Sequence, residues 1–276
     1  MEQLPLAQQL DRYRSPVMGP QLDLVLASMI AGNTAGQLWE IPEQGASPLL
    51  LLWDQGNNVF YLAGDAHAQS ALPALTSFVN QRLRPLALTA GAARFKVRAL
   101  SPWLEEALPQ IFPGIALHAS PALFSVHDAG SRPPIAPPAV PNMALVPITA
   151  DILRSESYAY IDQVRDEIRG MWPSEERFYQ HGFGSLAVLD GEVICWCTAE
   201  YVSPTHCGIG IATSPRYEGR GLATATAAHF VQQARERGIT PCWECALANQ
   251  ASVRVAEKVG FVRRAEEAYW IGEFTS

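Results

Sequence analysis

The residues with most to offer chemically lie between Gly208 and Ala223. A short apolar run ends at Thr213. Gly219 and Gly221 follow in a tight turn, and a helix-period stretch begins at once, with Leu222, Ala223, Ala227, Phe230, Val231 and Ala234 on its buried stripe. Glycines at a strand-to-helix turn let the backbone approach a ligand closely. The first amides of the helix have no intrahelical acceptor, so they point outward together and favour an anion. Arg216 and Arg220 add positive charge beside them, and a diphosphate is the natural occupant. A Gly-x-Gly turn alone serves equally well to start an ordinary helix. The Gly-Lys-Ser/Thr ending of a Walker loop is absent. The dinucleotide fingerprint is absent too, because its third glycine is missing and no βαβ unit precedes the turn.

The cysteines are the next candidates. Cys242-x-x-Cys245 has a zinc-like spacing, but positions three apart on a strand face opposite sides and cannot share one ion. Cys195 and Cys197 share a face without a nearby His pair. No metal is expected, and the cysteines read as small buried residues. His206 and His229 read as surface or core histidines.

These residues must be held by a mixture of strands and helices. In the second half, strands are expected at 144–147, 185–189, 192–201, 208–213, 241–246 and 261–274, with Asp190-Gly191 as the hairpin turn of the second and third. Helices are expected from Thr149 or Asp151 to about 169, from Ser174, from about 220 to Gly238, and over 252–259 before Gly260. The first half reads as a helix at 20–32, strands at 37–42, 48–53 and 59–63, a helix at 71–83, a strand at 86–89 and a helix at 101–111. Between the halves, SRPPIAPPAVP (131–141) carries five prolines and cannot sustain a helix or a paired strand. The expected fold class is α/β: a smaller N-terminal α/β domain (1–130), a Pro-rich linker (131–141) and a C-terminal domain (142–276) with a mixed sheet and helices on its faces.

Arg216-x-x-Gly219-x-Gly221-Leu222-Ala223 resembles the acyl-CoA loop, Arg/Gln-x-x-Gly-x-Gly/Ala, of the GNAT superfamily of N-acyltransferases. Asn249-Gln250-Ala251-Ser252 through Ala256, Lys258 and Gly260-Phe261 resembles that superfamily's following Asn-led helix, which ends in Lys-x-Gly-Phe. The gap between the motifs suits one helix and one strand. The stretch from Met171-Trp172 and Phe178 through Gly182-Phe183-Gly184 to Phe261 is similar to the branch that includes zwittermicin A resistance acetyltransferases.

The resemblance implies transfer of an acetyl group from acetyl-CoA to a primary amine of a small molecule, by direct attack in a ternary complex. The backbone from Tyr217 through Glu218, Gly219, Arg220 and Gly221 to Leu222 would hold the pyrophosphate. Ile211, Ala212 and Thr213 would pair with the pantetheine arm, in a gap between their strand and the strand 241–246. Asn249 and Ser252 would lie beside that arm, although Asn249 also suits a helix cap. Many relatives carry a Tyr as thiolate donor where this chain has Ala256; Ser252, a water or Tyr269 would have to substitute. The usual carboxylate on the strand entering the loop is replaced by Gly208. That leaves Glu200 and Glu244 as candidate bases, unless each is an ordinary exposed or hydrogen-bonded strand residue. Trp172 and Phe178 either wall the acceptor pocket or simply pack. The alternatives are a protein N-acetyltransferase with an open groove, and a non-catalytic acyl-CoA sensor.

In the first half the strand-helix-strand order is repeated without the Arg-x-x-Gly-x-Gly turn. This reads as a degenerate GNAT-like repeat that does not bind CoA and that shapes the acceptor pocket or mediates homodimer contacts. The chain's net charge is −7, with no basic cluster, so nucleic acid and anionic membranes are not expected partners. No apolar run approaches the ~20 residues of a membrane span, and residues 1–14 do not read as a secretory signal. Five cysteines, all in the second half, do not form a disulfide framework; a cytoplasmic location is expected.

Overall fold

The computed structural model describes residues 19–42, 48–128, 130 and 142–275; the expected linker at 131–141 and residues 1–14 lie outside them. In chain order the elements are α1 (Pro20–Ile30), β1 (Gly36–Ile41), β2 (Leu49–Asp54), β3 (Val59–Ala63), a 3-10 turn (Ala66–Ala71), α2 (Leu72–Phe78), a π turn (Val79–Leu83), α3 (Arg84–Thr89), β4 (Arg94–Ala99), α4 (Pro102–Ile111), β5 (His118–Ala119) and β6 (Ala122–His127). There follow β7 (Met143–Pro147), α5 (Ala150–Arg154), α6 (Ile161–Met171), α7 (Glu175–His181), β8 (Gly184–Leu189), β9 (Glu192–Glu200), β10 (His206–Thr213), α8 (Leu222–Glu236), β11 (Thr240–Ala246), α9 (Gln250–Val259), β12 (Phe261–Glu267) and β13 (Trp270–Glu273). The fold is mixed α/β with two mixed sheets, ordered β1-β2-β3-β4-β13-β5 and β12-β6-β11-β10-β9-β8-β7.

Two compact units result. One comprises Ala35–Ala122 with the residues from Glu267 onward; the other comprises Pro20–Thr34 and Leu123–Glu266. They interleave in sequence, unlike the contiguous division at the linker. α1 belongs with the second unit, and β6 joins the second sheet. The expected single strand over 261–274 is two strands in different sheets: β12 edges the second, and β13 pairs antiparallel with β4 in the first. Alternation along a strand marks its buried face, not the sheet that receives it.

Each unit runs three antiparallel strands into a fourth that is parallel: β1-β2-β3 before β4, and β8-β9-β10 before β11. The first unit's core is aromatic, with Phe60, Phe95, Phe112 and Phe274 buried in ring-to-ring contact. Burying each ring contributes ~1.5–3 kcal/mol. The expected strand at 86–89 is helix instead. Leu83 and Ala87 are buried one helical turn apart while Leu86 is 40% exposed, so the period is helical. The strand is β4, a few residues later.

In the second unit the hairpin β8–β9 turns at Asp190 (φ 49°) and Gly191 (φ 82°). Both values are positive, as a two-residue hairpin turn of type I′ requires. α8 packs across β8 and β9, with Phe230 stacked on Phe183 at 4.9 Å and Gln233 donating to the Gly184 carbonyl and to Ser185 Oγ. The expected helix through 169 is broken into α5 and α6. Thr149 caps the first piece, as expected. Ser155 Oγ then accepts the Ser157 amide, and Tyr160 adopts φ 66°, so local side-chain bonding and a left-handed residue end the ladder. Among the described residues, no helix is long and apolar enough to cross a membrane.

Candidate active site

β10 pairs with β9 along Gly208–Thr213, from Gly208↔Glu200 to Thr213↔Cys195. Its parallel pairing with β11 covers only His206↔Thr240 and Cys207↔Pro241. Beyond Cys207 the two strands separate, so the β10 backbone facing β11 is not taken up by a ladder there. At the end of β10 the chain makes one 3-10 turn over Pro215–Tyr217, closed by the Tyr217 amide on the Ser214 carbonyl at 2.8 Å. Gly219 (φ 74°) and Gly221 (φ 79°) then turn it into α8. Both conformations suit glycine and strain other residues. Gly221 is the N-cap and has no side chain to occupy the first amides; the first turn also lacks acidic residues. The space around both glycines is open, since an added Cβ would meet nothing within 4 Å.

These features border a cleft of about 560 Å³. Ile211, Ala212 and Thr213 form one wall. Tyr217, Glu218, Gly219, Gly221, Leu222 and Ala223 form the turn side, and Trp243 of β11 with Asn249 and Ser252 of α9 closes it. Eleven of the residues expected at the donor site thus surround one cavity. Arg216 and Arg220 do not line it. Arg216 Nη2 reaches Glu192 Oε2 at 3.3 Å and the Tyr160 hydroxyl at 3.2 Å, while Arg220 donates to the Arg216 carbonyl and lies over the Tyr217 ring.

Asn249 both caps and lines. Its Oδ1 accepts the Ser252 amide at 3.1 Å, which starts α9. Ser252 Oγ accepts from Trp243 Nε1 at 3.0 Å and so is held against the cleft wall. Ala256 is buried and supplies no hydroxyl. Tyr269 is buried with the first unit's segment, where its hydroxyl donates to Glu267. Trp172 and Phe178 are buried against one another at 5.2 Å, and the Trp172 indole donates to the Ala199 carbonyl.

Residues 140–269 match the GNAT acetyltransferase family. The match covers just under half of the chain. Acyl-CoA-dependent N-acyl transfer is the activity class which that match carries. The chain is 24% identical over 205 residues, 74% of each chain, to the uncharacterized N-acetyltransferase YdfB of Bacillus subtilis. Among solved structures, a GCN5-related N-acetyltransferase-like protein from Streptococcus suis has the same fold, with TM-score 0.65 and 16% identity over 98% of this chain and 100% of that one. A tandem GNAT protein from the clavulanic acid biosynthesis pathway matches over 100% of this chain and 99% of its own, with TM-score 0.56 and 16% identity.

The second unit's sheet has another face, and here the structure adds a residue that sequence reasoning missed. Trp196, Thr198 and Glu200 of β9 alternate onto one side, opposite Ala212, Gly210 and Gly208 of β10. The small β10 residues leave room there. Glu167 of α6 reaches into it, accepting from Trp196 Nε1 at 2.6 Å and from Thr198 Oγ1 at 2.5 Å. A Cβ built on Gly210 would stand within 3.0 Å of Glu200 Oε1, Glu167 Oε1 and Thr198 Oγ1 together. Glu244 belongs to the same side. Cys207 pairs with Pro241, so Trp243 shares their face and Glu244, like Gly208 and Gly210, takes the other. The two expected bases therefore flank the strand gap with a third carboxylate between helix and sheet. The signal for Glu167 was weak but present: it sits three residues after Val164 and four before Met171, both buried, at the margin of an apolar helical stripe.

The thiols do not offer a nucleophile. Burial pushes Cys242 up to about 12 and holds Cys197 and Cys207 well above the ordinary thiol range. Cys245 is also raised by burial, with a Ser252 hydrogen bond pulling the other way.

Proposed function

We propose that this protein moves an acetyl group from acetyl-CoA to a primary amine of a small molecule, by direct attack in a ternary complex. The observation that carries the reading is the cleft, in which a strand unpaired on one side leads into a glycine turn and an uncapped helix N-terminus. Such a turn takes the diphosphate on its amides. The unpaired edge of β10 then receives the pantetheine amides, as a strand edge receives a peptide. The thioester would lie at the strand gap, within reach of the carboxylate face.

An alkylammonium must lose one proton before it attacks. Glu200 takes that proton, directly or through a water, while Glu167, fixed by Trp196 and Thr198, helps hold the cation in place; Glu244 is the alternative base across the gap. The nitrogen lone pair forms the C–N bond as the C–S bond breaks, and the sulfur leaves with the electron pair. The second proton lost from nitrogen balances the thiolate, which takes it up by way of water or Ser252. Direct attack is favoured because each shifted thiol is held in its protonated form by burial. Retention of reduced cysteines suits the cytoplasm, where we place the protein, and the stretch around Trp172 and Gly182-Phe183-Gly184 supports the branch similar to zwittermicin A resistance acetyltransferases.

Calorimetry with acetyl-CoA, followed by a thiol-release assay over a panel of small amines, tests the proposal. Binding with turnover on a small amine supports it. Turnover only on peptides redirects it to a protein acetyltransferase, binding without turnover to a sensor, and no binding at about 1 mM, near −4 kcal/mol, ends it.

A further inference from the structure

Residues 20–34 precede the first unit in sequence yet belong to the second. α1 packs on β10, with Leu22, Val25, Leu26 and Met29 buried. Its end is tightly closed. Gly32 (φ 74°) stops the helix, the Asn33 amide donates back to the Ser28 carbonyl at 2.9 Å, and Ser28 Oγ meets Thr34 Oγ1 at 2.7 Å in the interior. Asn33 is thereby buried against the segment that follows β9. Its Nδ2 donates to the Val202 carbonyl at 2.8 Å, and its Oδ1 accepts from Arg177 Nε of α7 at 2.8 Å. Arg177 Nη2 also donates to the Ala31 carbonyl. A guanidinium only donates and a carbonyl only accepts, so a single orientation of the Asn33 amide satisfies both bonds. Asn33 lies outside residues 140–269, so the family match assigns it no role.

Val202 stands two residues past Glu200, and the residue between them has an unusual backbone. Tyr201 has φ 47°, a left-handed value that a bulky side chain keeps only where its surroundings impose it. Its ring is buried over Gly208, the β10 partner of Glu200, where an added Cβ would stand 3.0 Å from Tyr201 Cδ2. On the far side of the turn the Ser203 amide donates to the His206 carbonyl at 2.8 Å. Resting on the reading of Glu200 as the base, we infer that Asn33 is a positioning residue for that carboxylate. By holding the Val202 carbonyl, Asn33 keeps Tyr201 left-handed and fixes the peptide from which the Glu200 side chain reaches Gly210. Arg177 sets the Asn33 amide in the orientation that does so. Without that hold, Tyr201 relaxes towards ordinary extended backbone, and the Glu200 carboxylate turns away from the amine.

The test uses Asn33→Asp in the full chain. The aspartate keeps an acceptor for Arg177 but loses the donor to Val202 and sets an oxygen against its carbonyl. Steady-state rates with the best amine of the panel, and acetyl-CoA affinity by calorimetry, are measured in the wild type, Asn33→Asp, Glu200→Gln and the double variant. Asn33→Asp should lower kcat about tenfold or more, since small misplacements of a reacting group cost that much, and leave acetyl-CoA affinity within about twofold. In the Glu200→Gln background the same change should cost less than about twofold further, because a residue that acts through Glu200 has nothing left to position. A melting curve checks that each variant is folded. Should Asn33→Asp not fold, Arg177→Met carries the same comparison from a half-buried helix position, with a loss of about threefold or more expected only when Glu200 is present. An unchanged kcat in the folded variant overturns the inference. An equal loss with and without Glu200 overturns it too, because it marks a role in stability alone. A fully active Glu200→Gln removes Glu200 as the base, and the inference with it, while leaving acetyl transfer intact. A wild type that acetylates no amine removes the functional reading itself.

Discussion

Gly210→Ala separates the two sides of the proposed site with one methyl group. Gly210 is absent from the positive-φ positions, so alanine adopts its backbone without the left-handed penalty. The cost is therefore local crowding. The new Cβ would stand within 3.0 Å of Glu200 Oε1, Glu167 Oε1 and Thr198 Oγ1. Glu200 can swing its far end aside. Glu167 moves less freely, because its two oxygens are tied to the Trp196 indole and the Thr198 hydroxyl. Overpacking of this kind costs ~1–3 kcal/mol. If the displacement falls on the groups that meet the amine, kcat/KM for the acceptor drops about 5- to 150-fold. The donor cleft lies on Ile211, Ala212 and Thr213, one residue further on, and the Gly219–Gly221 turn is untouched. Acetyl-CoA affinity by calorimetry should hence stay within about threefold, a change of under ~1 kcal/mol. Steady-state kinetics with the best amine of the panel provides the other half of the measurement. An unchanged kcat/KM would refute the role given to the carboxylate face. Equal losses in acceptor kinetics and donor binding would refute the separation of the two sides.

Three further outcomes are expected. Glu200→Gln and Glu167→Gln should each lower kcat about 100-fold or more while leaving acetyl-CoA binding nearly intact; if Glu244→Gln alone does so, the base lies across the strand gap, and full activity in all three removes the carboxylate mechanism. Gly221→Ala should weaken acetyl-CoA binding by about 5- to 30-fold, because a Cβ at φ 79° costs ~1–2 kcal/mol and shifts the N-terminal amides of α8; calorimetry reads it directly, and unaltered affinity would count against the turn as the diphosphate site. His229 is shifted below its unfolded value of 6.5 chiefly by burial, beside Ser185 and Gln233. Its neutral form therefore contributes stability above about 6.5, and that stability is lost as pH falls through the lower folded value; Tm should fall between pH 7 and 5, and fall less in His229→Gln.

What could be read from the chain alone follows from where the constraint is local. Gly219, Gly221, Gly191 and Gly260 each occupy a positive φ, and Thr149, Ser174 and Asn249 each cap the helix that follows, so turns and helix starts are written in the residues that form them. The donor cleft follows from two such local signals brought together by one helix and one strand. Glu167 does not. Its importance arises only when α6 covers β9 and the small residues of β10 leave it space, a tertiary coincidence with little imprint on α6 itself. The orientation of Arg216 was equally hidden, because a rotamer that meets Glu192 and Tyr160 is chosen by neighbours far away in sequence. The exchange of β6 and β13 between sheets is of the same kind: their residues say strand, and only pairing partners decide which sheet.

The first unit shows how narrow the difference between the fold and the cleft is. It repeats three antiparallel strands running into a parallel fourth, yet its parallel pair stays closed, in register from Val59↔Lys96 to Leu62↔Ala99, with the Leu100 amide continuing onto the Leu62 carbonyl. No gap opens there for an extended arm. Its turn is filled as well: the Leu49 side chain stands where a Cβ on Gly64 would go, and Ser101 and Trp103 both donate to the Gly64 carbonyl. At the start of the following helical segment Asp65 accepts the His67 amide. That carboxylate takes one of the amides a phosphate would need and repels the phosphate besides. In the second unit the cap of the helix that borders the cleft is Gly221, which has no side chain, and the parallel pairing stops after two residues. A carboxylate against a hydrogen at the cap, and a closed ladder against an open one, are the physical differences that confine the proposed donor site to the second unit.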